Sequence, residues 1–159
     1  MDKENICFDR FLALSALLTG FERVELLGSG VAQEYYRQVN DIIGTEIFQQ
    51  LLFTSATIIE CYGNDEEALE TAIRREILAN IKLGAVAKNI IQLWYLGSWV
   101  QMPQSWRTQY GNNPSDVTTV VSSQAYQEGL VWSVIKAHPP GAKQPGFGSW
   151  AHLPINKHM

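Results

Sequence analysis

The sequence predicts an all-α fold: a single compact domain over residues 1–159, with about five helices and a long irregular C-terminal arm rich in Pro, Gly and aromatic residues. Three observations lead there. Apolar residues recur at helical spacing through residues 8–97. No stretch alternates as a strand does, and no repeat period is evident. Residues 138–154 hold four prolines and three glycines in seventeen positions, a density that no regular element survives. At 159 residues, 46% hydrophobic and 18% charged, the chain is long enough for one core and too apolar for disorder.

The first helix is expected over 8–20, with Phe8, Phe11, Leu12 and Leu18 on one side and Gly20 ending it. Gly28 and Gly30 mark a break. A second helix runs from Val31 to Ile43 and stops near Gly44. Thr45 is placed to cap a third, reaching about Cys61; its stripe Ile47, Leu51, Ile58 lies beside Phe48, Leu52, Ile59, so it is buried on more than one side. The fourth opens on Asn64 and Glu67, spaced as a capping box. Asp65, Glu66 and Glu67 place negative charge at its positive end, Leu69, Ile73 and Ile77 form its apolar face, and Glu70 and Arg74 stand four apart. The fifth starts near Leu83, carries Val86, Ile90, Leu93 and Trp94 inward, and frays at Gly97. These helices make a body over 8–97. Residues 98–121 read as a loop region, 122–133 as a last short helix, and 134–159 as the extended arm.

Charge narrows the function classes. The net charge is −4, and no basic footprint for nucleic acid is visible. Residues 1–101 carry fourteen acids against eight bases, whereas 102–159 carry only Asp116 and Glu128 against four bases. All five tryptophans lie at or beyond Trp94. An aromatic half poor in charge has the composition of a surface destined for burial against something.

Signs of catalysis are weak. No GxSxG elbow occurs, and Ser149 near His152 is a proximity within an extended arm. No Glu-x-x-His motif is present, so the carboxylates of the fourth helix read as a solvated face, and no metal site is expected. The glycines of GAKQPGFGSW lack the strand before and the helix after that a phosphate loop needs, and Pro145 removes a donor. No cofactor is expected in this chain. Cys7 and Cys61 are open to pairing, to contact with a partner chain, or to remaining free, buried thiols being the plainer outcome. No run approaches the ~18 apolar residues of a membrane span. MDKENICFDRF has neither a basic apolar leader nor twin arginines, so the chain as written is expected to be soluble and cytoplasmic.

What the arm offers is binding. Trp132, Phe147 and Trp150 bring large apolar area, and prolines lower the entropy lost on docking. The same composition also suits an arm folded back over its own helices. The string QAYQEGLVWSVIKAHPPGAKQPGFGSWAHLP from Gln124 onward, with FLALSALLTGF near the start and NIIQLWYLG in the fifth helix, resembles the small, gamma-type subunits of the membrane-associated FAD-containing D-sorbitol and sugar dehydrogenases. The resemblance spans nearly the whole chain in order.

That resemblance implies a non-catalytic companion. Its obligate partner would be a large FAD-containing dehydrogenase of the glucose–methanol–choline (GMC) type, with a cytochrome c subunit as a possible third member. The small subunit would support folding, maturation and export. The family's twin-arginine leader is not in this sequence; a periplasmic or membrane-associated address would follow had one been removed. The expected contact residues are Trp132, His138, Pro139, Pro140, Lys143, Pro145, Phe147 and Trp150, with Trp94 and Tyr95 either core or second-line contacts. A permanent interface of this kind buries more than ~2,000 Å². Two other readings stand beside it. One is a free-standing helical module that binds a small molecule or regulates a partner. The other makes the arm a lid that places His138 or Trp150 near the partner's flavin.

Overall fold

A computed structural model describes residues 2–139, and its architecture is all-α. Five helices of eight residues or more form the body: α1 (Lys3–Thr19), α3 (Ala32–Ile43), α4 (Thr45–Tyr62), α5 (Glu66–Ile73) and α6 (Ile81–Leu96). Four shorter ones, α2 (Arg23–Gly28), α7 (Gln104–Tyr110), α8 (Ser123–Glu128) and α9 (Leu130–Val134), fill the connections. A two-residue antiparallel ladder pairs β1 (Ser98–Trp99) with β2 (Thr119–Val120), Ser98 opposite Val120 and Trp99 opposite Thr119.

Local chemistry sets the helix ends, in places one residue away from expectation. Gly20 takes φ +77° at the end of α1, as its position suggested, but α1 begins five residues earlier, at Lys3. Gly44, not Thr45, occupies the position before α4. At α5 the cap is Asp65 rather than Asn64: its carboxylate accepts the Ala68 N–H at 3.0 Å. The Arg74–Glu70 pair forms at 2.6 Å. Asn80 caps α6 through the Leu83 N–H at 2.9 Å, so that helix starts two residues before Leu83. The break at Gly28 and Gly30 follows a helix of its own, α2, opened by a reciprocal Glu22–Glu25 capping box.

Between α5 and α6, Arg74–Leu78 winds as a π-helical turn, with the Ala79 N–H reaching back to the Arg74 carbonyl at 2.9 Å. The turn presents its last carbonyls to α6. A Cβ on buried Gly84 would overlap the Leu78 carbonyl, so the two elements meet backbone to backbone.

The core gathers around α6. Val86, Ile90, Leu93 and Trp94 lie inward with Phe11, Tyr35 and Phe48. The Trp94 ring stacks on Phe11 at 6.3 Å and meets Tyr35 edge-on at 4.8 Å. Tyr35 is fully buried, and its hydroxyl has no hydrogen-bond partner among the described residues. Burial first, then the Glu34 and Glu128 carboxylates, push its phenol well above the ordinary tyrosine range.

Below pH ~10 the phenol is neutral in folded and unfolded chains alike; above it the unfolded chain ionises while burial keeps Tyr35 protonated, so stability falls as pH rises. Tyr35→Phe removes both the unpartnered hydroxyl and this pH dependence. The variant should gain about 0.5–1 kcal/mol at pH 7 and lose less stability than the parent between pH 9 and 11, as denaturant midpoints would report. Parallel pH profiles for the two proteins would refute the assignment.

Candidate functional site

The segment expected to be a loop region, 98–121, contains α7 and is built around one carboxylate. Asp116 is 3% exposed and accepts the Trp99 indole N–H at 2.8 Å and the Met102 N–H at 3.1 Å. Its own carbonyl accepts from the Gln101 side chain at 2.9 Å. From α6, buried Asn89 donates to the Val100 carbonyl and touches the Met102 sulfur at 3.1 Å. The Trp106 indole on α7 donates to the Lys82 carbonyl at 3.0 Å, and the Lys82 ammonium lies 5.9 Å from the Tyr110 ring centre. Asn113 reaches the Asp41 and Ile42 carbonyls at the end of α3, at 2.9 and 3.2 Å. Turn-forming residues suggested a loop because they say nothing of such partners.

Composition therefore misled on the tryptophans. Trp94, Trp99 and Trp106 are 1%, 0% and 5% exposed, all within the chain's own core. Of the two alternatives for Trp94, core is the one realised. Tyr95 is half-buried; its hydroxyl donates to the Thr19 carbonyl at 3.1 Å and its ring meets Phe21 edge-on.

The expected helix over 122–133 is two helices. Ser122 caps α8 through the Ala125 N–H at 3.0 Å and donates to Glu34 at the same distance. Gly129 then interrupts the run: a Cβ there would press on the Tyr95 carbonyl, and α9 restarts at a new angle against α6. Trp132 is half-buried, its N–H bonded to the Tyr126 carbonyl at 2.9 Å and its ring edge-on to Tyr126 at 5.7 Å. Part of the apolar area assigned to docking is thus already covered by its own chain.

The helix α9 ends in a Schellman-type turn. The Ala137 N–H bonds the Trp132 carbonyl at 2.9 Å and the Lys136 N–H bonds the Ser133 carbonyl at 3.2 Å, with Lys136 itself at φ +55°. Among the described residues Lys136 is the sole non-glycine with positive φ. Beyond it His138 is exposed and Pro139 is buried. Pro140, Lys143, Pro145, Phe147 and Trp150 lie outside the described residues.

Four exposed apolar side chains escaped the sequence reading: Leu96 at 46%, Val120 at 52%, Val134 at 56% and Ile135 at 57%. They sit at the end of α6, on β2 and at the end of α9, elements that meet where Val121 donates to the Gly97 carbonyl and α9 packs on α6. Periodicity marks them as helix or strand residues, but only the fold decides which face is left uncovered. The segment 98–135 carries three ionisable side chains besides its tyrosine hydroxyls, Arg107, Asp116 and Glu128, and Asp116 is buried.

Cys7 is half-buried and Cys61 exposed, and both are free thiols, so only the first approaches the buried state anticipated. Among the described residues no group of three or more His, Cys, Asp or Glu is placed to hold a metal ion, and no helix is long and apolar enough to cross a membrane. Comparison with protein-family models, with curated proteins and with solved structures finds no match to this chain.

Proposed function

We propose that this chain is the non-catalytic small subunit of a GMC-type FAD-dependent sugar or alcohol dehydrogenase, binding the catalytic subunit and supporting its maturation. The observation that carries the reading is the C-terminal string from Gln124 to Pro154, whose order of aromatic, proline and glycine residues resembles that of such subunits. The exposed Val134 and Ile135 at the root of the arm are consistent with it, since charge-poor apolar surface characterises the centre of permanent interfaces. On this reading FAD belongs to the partner, and the partner's residues perform the chemistry.

A second reading, the free-standing helical module, draws on the burial of Trp94, Trp99 and Trp106 within the chain itself. Co-expression separates the two. A GMC-type flavoprotein from the same genome should be recovered soluble, FAD-loaded and bound to this chain, and should be depleted by tenfold or more when this chain is omitted. A flavoprotein equally soluble and active alone would overturn the subunit reading.

A further inference from the structure

Two cavities lie end to end in the groove between α1 and α4. The larger encloses about 610 Å³ and is lined by Lys3, Ile6 and Arg10 from one face of α1, and by Glu46, Leu52 and Phe53 of α4. The smaller, about 350 Å³, shares Ile6 and Arg10 and extends to Asp9, Arg23, Ile59 and Glu60. The lining is mainly apolar, and Phe53 is left 63% exposed. The larger volume falls within the ~300–1,000 Å³ typical of small-ligand sites.

The polar groups give the larger cavity a sign. Arg10 is half-buried, lines both cavities, and makes no hydrogen bond or ion pair among the described residues. Lys3, exposed at the same mouth, has no ion-pair partner among them either. Glu46 is the one carboxylate lining the larger cavity; it is exposed, and the two cations outnumber it. A guanidinium taken partly out of water with no ion-pair partner among the described residues can take an acceptor, and its planar fork matches a carboxylate better than a single lone pair.

We propose that this groove binds an amphiphilic organic anion: a medium-chain carboxylate whose head group sits on Arg10 and Lys3 and whose tail lies along Ile6, Leu52 and Phe53. The tail removes exposed phenyl and aliphatic surface from water, and the head supplies the missing acceptor. The site lies wholly in the helical body and is independent of the partner reading.

Calorimetric titration of the full chain with decanoate tests it, with decyltrimethylammonium as the amphiphile of opposite charge. One decanoate per chain should bind, at least about tenfold more tightly than the cation. Arg10→Gln should weaken decanoate by about tenfold or more, and Phe53→Ser, at an exposed position that leaves the core intact, by about fivefold. Lys88→Gln, on an exposed part of α6, should leave binding unchanged. Unaltered thermal midpoints would exclude misfolding as the cause. Equal affinity for the two amphiphiles, non-saturating uptake, or an Arg10→Gln variant that binds like the parent would overturn the proposal. So would capture by phosphatidylglycerol vesicles without binding of free decanoate, which would make the groove a membrane contact.

Discussion

Replacing Asp116 with alanine should cost about 3–5 kcal/mol, because two buried donors lose their only acceptor at once. The Trp99 indole and the Met102 amide both bond the Asp116 carboxylate, and all three residues are buried. In a chain of this length the loss corresponds to a fall in Tm of about 10 °C or more. Asp116→Asn retains one carbonyl oxygen in nearly the same place and should lose only about 1–2 kcal/mol. Thermal unfolding followed by far-ultraviolet circular dichroism gives the stability, and near-ultraviolet dichroism reports the Trp99 environment. A loss below 1 kcal/mol for the alanine variant would mean that the carboxylate does not organise residues 98–121.

Gly97→Ala should be comparably damaging, by about 3 kcal/mol or more, for a steric reason. Gly97 ends α6 at φ +65°, and a Cβ there would overlap the Ala125 carbonyl and crowd the Tyr126 nitrogen, both backbone of α8. The methyl cannot be accommodated by rotating a side chain; α8 has to move off the end of α6. Gly20→Ala is the control. It has a similar φ of +77° with nothing within 4 Å of the added carbon, so it should cost only the left-handed penalty of about 1 kcal/mol. Denaturant titration of the two variants separates dihedral strain from collision, and equal losses would refute the steric account.

Most of the helical body was legible from spacing. Long periodic segments such as Leu83–Trp94 announce both their class and their inward face, and Gly20 and Gly97 mark their ends. What periodicity lacks is range. Asp116 reads as one of two acids in a charge-poor half, and nothing local reveals that Trp99, seventeen positions earlier, donates to it. The short α2 and α7 give too few residues for a period to develop, and Gly129 divides the last helix because of a carbonyl on Tyr95, thirty-four positions away. The same limit governs the proposed surface. Aromatic enrichment after Trp94 carries no information on whether a ring is covered by its own chain, and for Trp94, Trp99 and Trp106 it is.

The C-terminal half of α6 has a further consequence during synthesis. Part of its cover comes from residues made later, Trp99 and α9, so Leu93 and Trp94 emerge from the ribosome roughly 35 residues before Leu130 does. At typical elongation rates of about 5–20 residues per second that is a wait of some seconds, long compared with the folding of a helix pair. Over that interval α6 is covered only by the helices made before it, and the gap closes when Leu130 docks.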